Sequence, residues 1–359
     1  VIFKNLFKNK KVLLTGHTGF KGSWLGLWLN RLGAKVIGVS KDIPTKPAHF
    51  SLKNNFYYKN IRFDLKNSKK VSRLIMKEKP DFIFHLAAQP IVLASYEDPY
   101  TTYLSNTLGT LNILESLRLS NHRCYAVMIT SDKCYENLNM DIQYKESDRL
   151  GGLDPYSSSK ASAELMIRSY YEAFFSKPNS KIRIASARAG NVMGGGDWAE
   201  NRIVPDCMKS WFKNKQVILR SPKSTRPWQH VLEPLSGYLT LAAKLNSNKK
   251  LSGESFNFGP KMSHSYSVKD LVSKLSSYLE YAEFSVKPRK KESYEAILLS
   301  LDIGKARRML NWRPMLTFNA TAKWTAEWYK SYYKKSKLCA YEHSLQQIED
   351  YEKLLKNVR

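Results

Sequence analysis

Apolar residues follow two rhythms along the first half of this chain. Lys11-Val12-Leu13-Leu14-Thr15 is a short apolar run that ends in a glycine-rich turn. Trp24, Leu25, Leu27, Trp28, Leu29 and Leu32 then recur at helical spacing, and Gly33 closes that stretch. The next strand runs from Ala34 to Ser40, with further candidates at Asn60 to Phe63, Asp81 to Ala87, Tyr125 to Thr130 and Ile182 to Ala187. Helical patterns at about 68–79, 101–120 and 157–175 separate the later strands. Strands alternating with helices of this length predict a parallel sheet covered on both faces.

After Gly190 the rhythm breaks. Glycine, proline and arginine become frequent from Asn191 to Pro234 and the helical stretches shorten. Segments 203–213, 232–247 and 267–281 have helical spacing, while 215–219, 255–258 and 284–287 are short strand candidates. The expected fold class is α/β, a Rossmann-type parallel sheet with helices on both faces plus a smaller mixed α/β substrate-binding lobe. Residues 9–190, with 229–260 returning, make the nucleotide domain in this reading. Residues 191–228 and 261–335 make the smaller lobe, and 336–359 is a charged helical tail packed on the body or on another subunit.

Composition narrows the class. The 359 residues, 43% hydrophobic, are enough for one large α/β unit or for a nucleotide domain with a smaller partner. No apolar run reaches the roughly 18 residues that cross a bilayer, and the first residues lack the pattern of a signal peptide. Cys124, Cys134, Cys207 and Cys339 are scattered, so neither a structural zinc nor a disulfide framework is expected and a cytoplasmic location is. Cys124 fits a buried small side chain better than a nucleophile. The net charge of +27 raises nucleic acid as a partner. The lysines are spread over every segment with no recognition framework, and an anionic small substrate fits the same charge.

Gly16-His17-Thr18-Gly19-Phe20-Lys21-Gly22 sets glycines three apart between a strand and a helix. The first permits the tight turn, the second admits a pyrophosphate to the backbone, and the third lets helix and sheet pack closely. The helix N-terminus then offers unpaired N–H groups to phosphate. The spacing lacks the Gly-Lys-Ser/Thr end of a nucleoside-triphosphate loop. A ribose-binding acid is expected after the second strand, where Asp42 stands slightly late and Lys41 would favour a 2′-phosphate instead. Asp64 and Leu65, at the end of the third strand, are candidates for the adenine edge. Ala87, Ala88 and Gln89 are small or polar residues where a strand end would pass under a dinucleotide, here taken as NAD.

Tyr156 and Lys160, four apart, share one face of a helix. An ammonium near a phenol favours phenolate and lowers its pKa from about 10. Tyr156 then takes a hydroxyl proton while hydride leaves the same carbon. Thr130 and Ser131 end a central strand, where an open parallel sheet presents its chemistry. Ser131-Asp132-Lys133 adds an acid and a base that an ordinary alcohol dehydrogenase does not need.

These blocks carry a likeness. With Thr15 to Trp24, Thr130-Ser131-Asp132-Lys133-Cys134-Tyr135, and Asp154-Pro155-Tyr156-Ser157 followed by Lys160, the sequence resembles the extended short-chain dehydrogenase/reductase superfamily. Ser186 to Val192, Gly194 to Trp198, Arg226 to Pro234 and Asn257-Phe258-Gly259-Pro260 extend the resemblance over roughly residues 9–330, and the blocks Phe20 to Trp24, Ser131 to Lys133 and Arg226 to His230 narrow it to the CDP-glucose 4,6-dehydratases. The resemblance implies an internal redox cycle on CDP-glucose. Tyr156 deprotonates the 4-hydroxyl as hydride passes from C4 to NAD, the 4-ketone acidifies C5–H, and water leaves across C5 and C6. Hydride then returns to C6 and a proton to C5. It further implies that Ser131 orients the 4-oxygen, Asp132 is the acid for the departing hydroxyl and Lys133 the C5 base, a role that needs a neutral amine. Lys160 would also hold the nicotinamide ribose. Arg202, Arg220, Arg226 and His230 become contacts to the diphosphate, with Asn191 orienting the first phosphate or the sugar. Relatives are usually homodimers or higher homo-oligomers and feed O-antigen or other surface-glycan synthesis.

Tyr294-Glu295-Ala296 stands where the family has a His-Glu-Ala stretch. Three other functions are compatible with parts of the chain: a 4-epimerase or dehydratase acting on another nucleotide sugar, a catalytically silent NAD-binding protein, and an RNA-binding protein. Ser131-Asp132-Lys133 weighs against simple epimerisation, because an epimerase expels no C6 hydroxyl.

Overall fold

In the computed structural model, which describes residues 3, 5–140, 142–261, 266–287 and 299–357, seven strands form one parallel sheet. They are β1 (Lys11–Thr15), β2 (Lys35–Ser40), β3 (Lys59–Arg62), β4 (Phe82–His85), β5 (Cys124–Ile129), β6 (Ile182–Ala189) and β7 (Ser255–Phe258). The spatial order is 3-2-1-4-5-6-7 and every pairing is parallel. The order reverses between β1 and β4, which opens a crevice at the carboxyl ends of those strands.

The strand sequences explain the two covered faces. Val12, Leu14, Phe82, Phe84, Val127 and Ile129 pack into one core. The alternate residues Leu13, Ile83, Ala126 and Met128 pack into another with Ile37, Val39, Ile113 and Ile184. Successive side chains point to opposite faces, so strands buried on both sides are apolar throughout. Cys124 lies in the second core with no exposure, and burial pushes its thiol up. The first core runs on through Cys207, Met208 and Trp211 of the helix Ile203–Trp211 and through Leu235 and Leu239 to Tyr351 of the tail. The helix Ile203–Trp211 and the tail therefore share one apolar core with the sheet.

The helix that carries Tyr156 begins where its sequence dictates. Asp154 accepts from the Ser157 amide at 2.9 Å and Pro155 takes the first helical position, giving the helix Pro155–Tyr170. The expected helix over 101–120 is divided into Pro99–Tyr103, a wider-wound turn at Leu104–Leu108, and Gly109–Leu119. A helix at Val92–Glu97 and another at Phe318–Lys330 were not expected. The first has no side-chain cap, and the second buries Thr321, Ala322, Thr325 and Ala326 along with Trp328 and Tyr329. Tyr294-Glu295-Ala296 lies outside the described residues.

The tail helix Lys337–Lys356 packs on the body. Trp28 Nε1 donates to Glu352 at 2.9 Å, and the Ser344 hydroxyl accepts from Trp328 Nε1 at 2.7 Å. Tyr351 donates to the buried carboxylate of Glu233 at 2.6 Å, which also accepts from the Met315 and Leu316 amides.

Candidate active site

Past β5, the chain continues through Thr130 to an extended Ser131 and a tight turn at Asp132–Cys134. The Ser131 hydroxyl donates to Asp132 Oδ1 at 3.0 Å and accepts from the Lys133 amide at 3.2 Å, fixing the turn. Tyr156 reaches the same place from its helix, close enough to Ser131 for that hydroxyl to act on its phenol. Ser131, Asp132, Lys133 and Tyr156 line a cleft of about 220 Å³, together with Lys21, Thr130, Asn191 and Arg202. Residues far apart in sequence thus meet beyond the carboxyl ends of β5 and β6, where sheets of this order hold ligands.

Burial dominates the electrostatics of this cleft. Tyr156 is pushed up to about 12 by desolvation, against the lowering effect of the Ser131 hydroxyl. This corrects the expectation that its neighbouring lysine simply lowers the phenol. Lys160 itself is brought down to about 8, by burial first and then by the charge of Lys21. Lys21 also falls to about 8, through burial and then Arg202, and its charge reaches Asp132. Asp132 is raised by burial, which outweighs Lys133, Ser131 and Arg226. Among the described residues its Oδ2 has no hydrogen-bond partner. A carboxyl held up in this way suits proton donation.

The glycine turn is built to admit a phosphate-bearing group. Gly16 has φ +74°, and a Cβ there would stand 2.7 Å from the Ala87 nitrogen. A Cβ on Gly22 would stand 2.0 Å from the Gly16 carbonyl oxygen. Gly19 caps the helix Phe20–Arg31 without a side-chain hydrogen bond, leaving the first-turn amides to an incoming anion. These features fit a dinucleotide pyrophosphate. Gly22→Ala is expected to lose on the order of 3 kcal/mol of stability, because backbone meets the added methyl and cannot move aside. Urea unfolding and calorimetric titration with NAD check the loss of both stability and binding.

The remaining turn residues spread along the crevice. His17 is bound to Ser40 Oγ at 2.9 Å, to Asn60 Oδ1 at 2.9 Å and to Arg62 Nη1 at 3.0 Å. Burial lowers it to about 4. Thr18 Oγ1 donates to the Asp42 carbonyl at 2.6 Å, and the Asp42 side chain is exposed past β2. Asp64 accepts from the Lys66 amide at 2.9 Å, and the Leu65 carbonyl from Asn112 at 2.7 Å. Phe20 packs against the first core, while Ala87 and Ala88 are half-buried. Gln89 is tied to Asn106, whose amide also donates to Ser159 on the Tyr156 helix at 2.9 Å. Asn106 gave no signal in sequence, because only the wide turn at 104–108 directs it there.

Of the downstream candidates, Asn191 and Arg202 line the cleft, Arg202 paired with the buried Asp197 at 3.0 Å. Arg226 acts on Asp132 by its charge. Two expectations are displaced. Arg220 is exposed beyond the strand Val217–Leu219 and does not line the cleft. His230 has no exposure and sits edge-on between Trp24 and Trp324, with burial lowering it to about 3. A neutral ring enclosed by aromatic residues is not placed to meet a diphosphate. Trp228 and Asp197 line the cleft instead, both inside blocks visible in sequence.

Residues 13–325 match the family model described as GDP-mannose 4,6 dehydratase. The chain is 41% identical over 336 residues to a CDP-glucose 4,6-dehydratase of Salmonella typhimurium, covering 92% of this chain and 94% of that relative. It is 26% identical over 351 residues to a CDP-paratose 2-epimerase of Salmonella typhi, covering 89% and 99%. A dTDP-glucose 4,6-dehydratase from Bacillus anthracis, solved in complex with NAD, shares the fold with a TM-score of 0.75 at 20% identity, over 92% of this chain and 99% of that one.

Proposed function

From a chain that belongs to the GDP-mannose 4,6-dehydratase family, we infer an NAD-dependent enzyme that converts CDP-glucose to CDP-4-dehydro-6-deoxyglucose and water. The observation that carries this reading is the meeting of Tyr156 with Ser131-Asp132-Lys133 in one cleft, Asp132 being buried and raised. NAD, when bound along the glycine turn, would accept the C4 hydrogen as hydride and return it at C6.

The chain's own residues handle the protons and the orientation. Tyr156 takes the proton of the 4-hydroxyl, and Ser131 holds the 4-oxygen. Lys160 supplies positive charge beside the phenol. Lys133 removes the C5 proton made acidic by the ketone, and Asp132 protonates the departing C6 hydroxyl. Asn191, Arg202 and Arg226 are assigned to the diphosphate and its sugar. Residues 191–228 and 261–335 make the nucleotide-sugar lobe, and 9–190 with 229–260 the NAD lobe. A homodimer is supported by Tyr100 and Leu165, 74% and 57% exposed on the helices Pro99–Tyr103 and Pro155–Tyr170. A cytoplasmic location in surface-glycan synthesis accompanies this reading. Among the described residues, no helix is long and apolar enough to cross a membrane.

Incubation with CDP-glucose, dTDP-glucose, UDP-glucose and GDP-mannose, followed by mass measurement, tests the assignment. Loss of one water from the CDP sugar alone is expected; loss from another sugar reassigns the substrate. Lys133→Ala is expected to slow C5 exchange with deuterated solvent by about a hundredfold. Unimpaired exchange removes Lys133 as the base.

A further inference from the structure

Behind the cleft lies a buried ion pair that the chemistry above does not use. Glu164 stands one helical turn beyond Lys160, and Arg188 is on β6. Their side chains are 2% and 3% exposed and meet at 2.8 Å. Glu164 Oε1 accepts from the Thr130 hydroxyl, while Oε2 also accepts from Ser186 Oγ at 2.8 Å. Arg188 Nη1 donates to the Tyr135 hydroxyl at 2.8 Å and to the Glu146 carbonyl at 3.2 Å. Its guanidinium also lies over the Tyr135 ring at 4.9 Å. Tyr135 in turn donates to Asn257 Oδ1 at 2.7 Å. Burial opposes charge on Glu164, but Arg188 and the hydroxyl donors outweigh it and hold the carboxyl below its usual range.

Thr130 and Tyr135 are the residues that bracket Ser131, Asp132 and Lys133. One end of this segment is therefore tied to the carboxylate and the other to the guanidinium. The carboxylate belongs to the helix that carries Tyr156 and Lys160. A buried ion pair adds little stability over a well-packed apolar pair of similar volume, so its two fixed ends are the more informative feature.

We propose that the Glu164–Arg188 pair is a clamp that sets the Ser131–Lys133 turn against the Tyr156 helix, making both positioning residues for the elimination step. The inference rests on the dehydratase reading above. Elimination depends most on the clamp, because Asp132 and Lys133 both lie on the turn, whereas the C4 step also draws on Tyr156 from the helix. A displacement near 1 Å in such a group costs on the order of a hundredfold in rate.

Glu164→Gln and Tyr135→Phe test this separately. Tyr135→Phe keeps the ion pair and the ring and cuts the tie at one end, so it carries the comparison if Glu164→Gln does not fold. Both are expected to slow water loss by about tenfold to a hundredfold with little change in KM. Quenching turnover with borodeuteride is expected to trap more C4 ketone that still bears its C6 hydroxyl, told by mass from the 6-deoxy sugar that the product gives, than in the parent, since elimination slows more than ketone formation. Amides 131–136 are expected to exchange faster with deuterated solvent, in a measurement that needs no substrate. A rate loss without extra trapped ketone, or unchanged exchange at 131–136, overturns the clamp. If the parent dehydrates no nucleotide sugar, the functional reading falls while amide exchange still decides whether the pair holds the turn.

Discussion

Tyr156→Phe is expected to reduce turnover by about 10³-fold or more, the upper part of the range for removing one general acid–base group. The substitution keeps the buried ring and removes the oxygen that meets Ser131. Without that oxygen the 4-hydroxyl keeps its proton, no ketone forms, and C5–H is never acidified. Neither C5 deuterium nor water loss should therefore appear by mass spectrometry, while calorimetry should still detect the sugar nucleotide. The pH profile has a definite sign. Tyr156 is raised to about 12, so below that value its phenolate fraction, and with it kcat/KM, grows as pH rises. Lys160 titrates at about 8 and loses its ammonium above that pH, so the rise should flatten there. Lys160→Met should lower the rate throughout and remove the break. A parent profile with no break between pH 7 and 9 would detach Lys160 from the phenol's chemistry.

Asp132→Asn should produce a different defect, a block after the ketone. Asparagine keeps the shape and a hydrogen bond but has no acidic proton for the departing C6 hydroxyl. Water loss should fall by about 10²- to 10³-fold. The C4 ketone that keeps its C6 hydroxyl should still be trapped by borodeuteride, and recovered substrate should carry deuterium at C5. The physical basis is the burial that raises Asp132 and the lack of a partner for its Oδ2 among the described residues. Recovered substrate without label, under conditions where the parent dehydrates, would move Asp132 to the C4 step or to a structural role.

Much of the fold was legible because local sequence and global packing agree. The run Lys11–Thr15, the helix after it and the strand Ser255–Phe258 lie where the apolar pattern put them. The helical pattern over 157–175 found the Tyr156 helix, whose start the Asp154 cap and Pro155 set two residues earlier. The wide turn at Leu104–Leu108 left no such mark, since its role depends on Gln89 and Ser159, which come from other elements.

The candidate site divides along the same line. Residue types and short spacings named Tyr156, Lys160 and Ser131-Asp132-Lys133, because reactivity is a property of the side chain and four residues make one helical turn. Spacing could not show that Lys21 reaches the cleft, that His230 is enclosed by tryptophans, or that burial raises Tyr156. The clamp of Glu164 and Arg188 was equally hidden. Alone, sequence determined the succession of strands in the sheet and which side chains are candidates for the chemistry. Tertiary structure decided which of those groups share a cleft and how each is charged, because desolvation and long-range contacts exist only once the chain has closed around them.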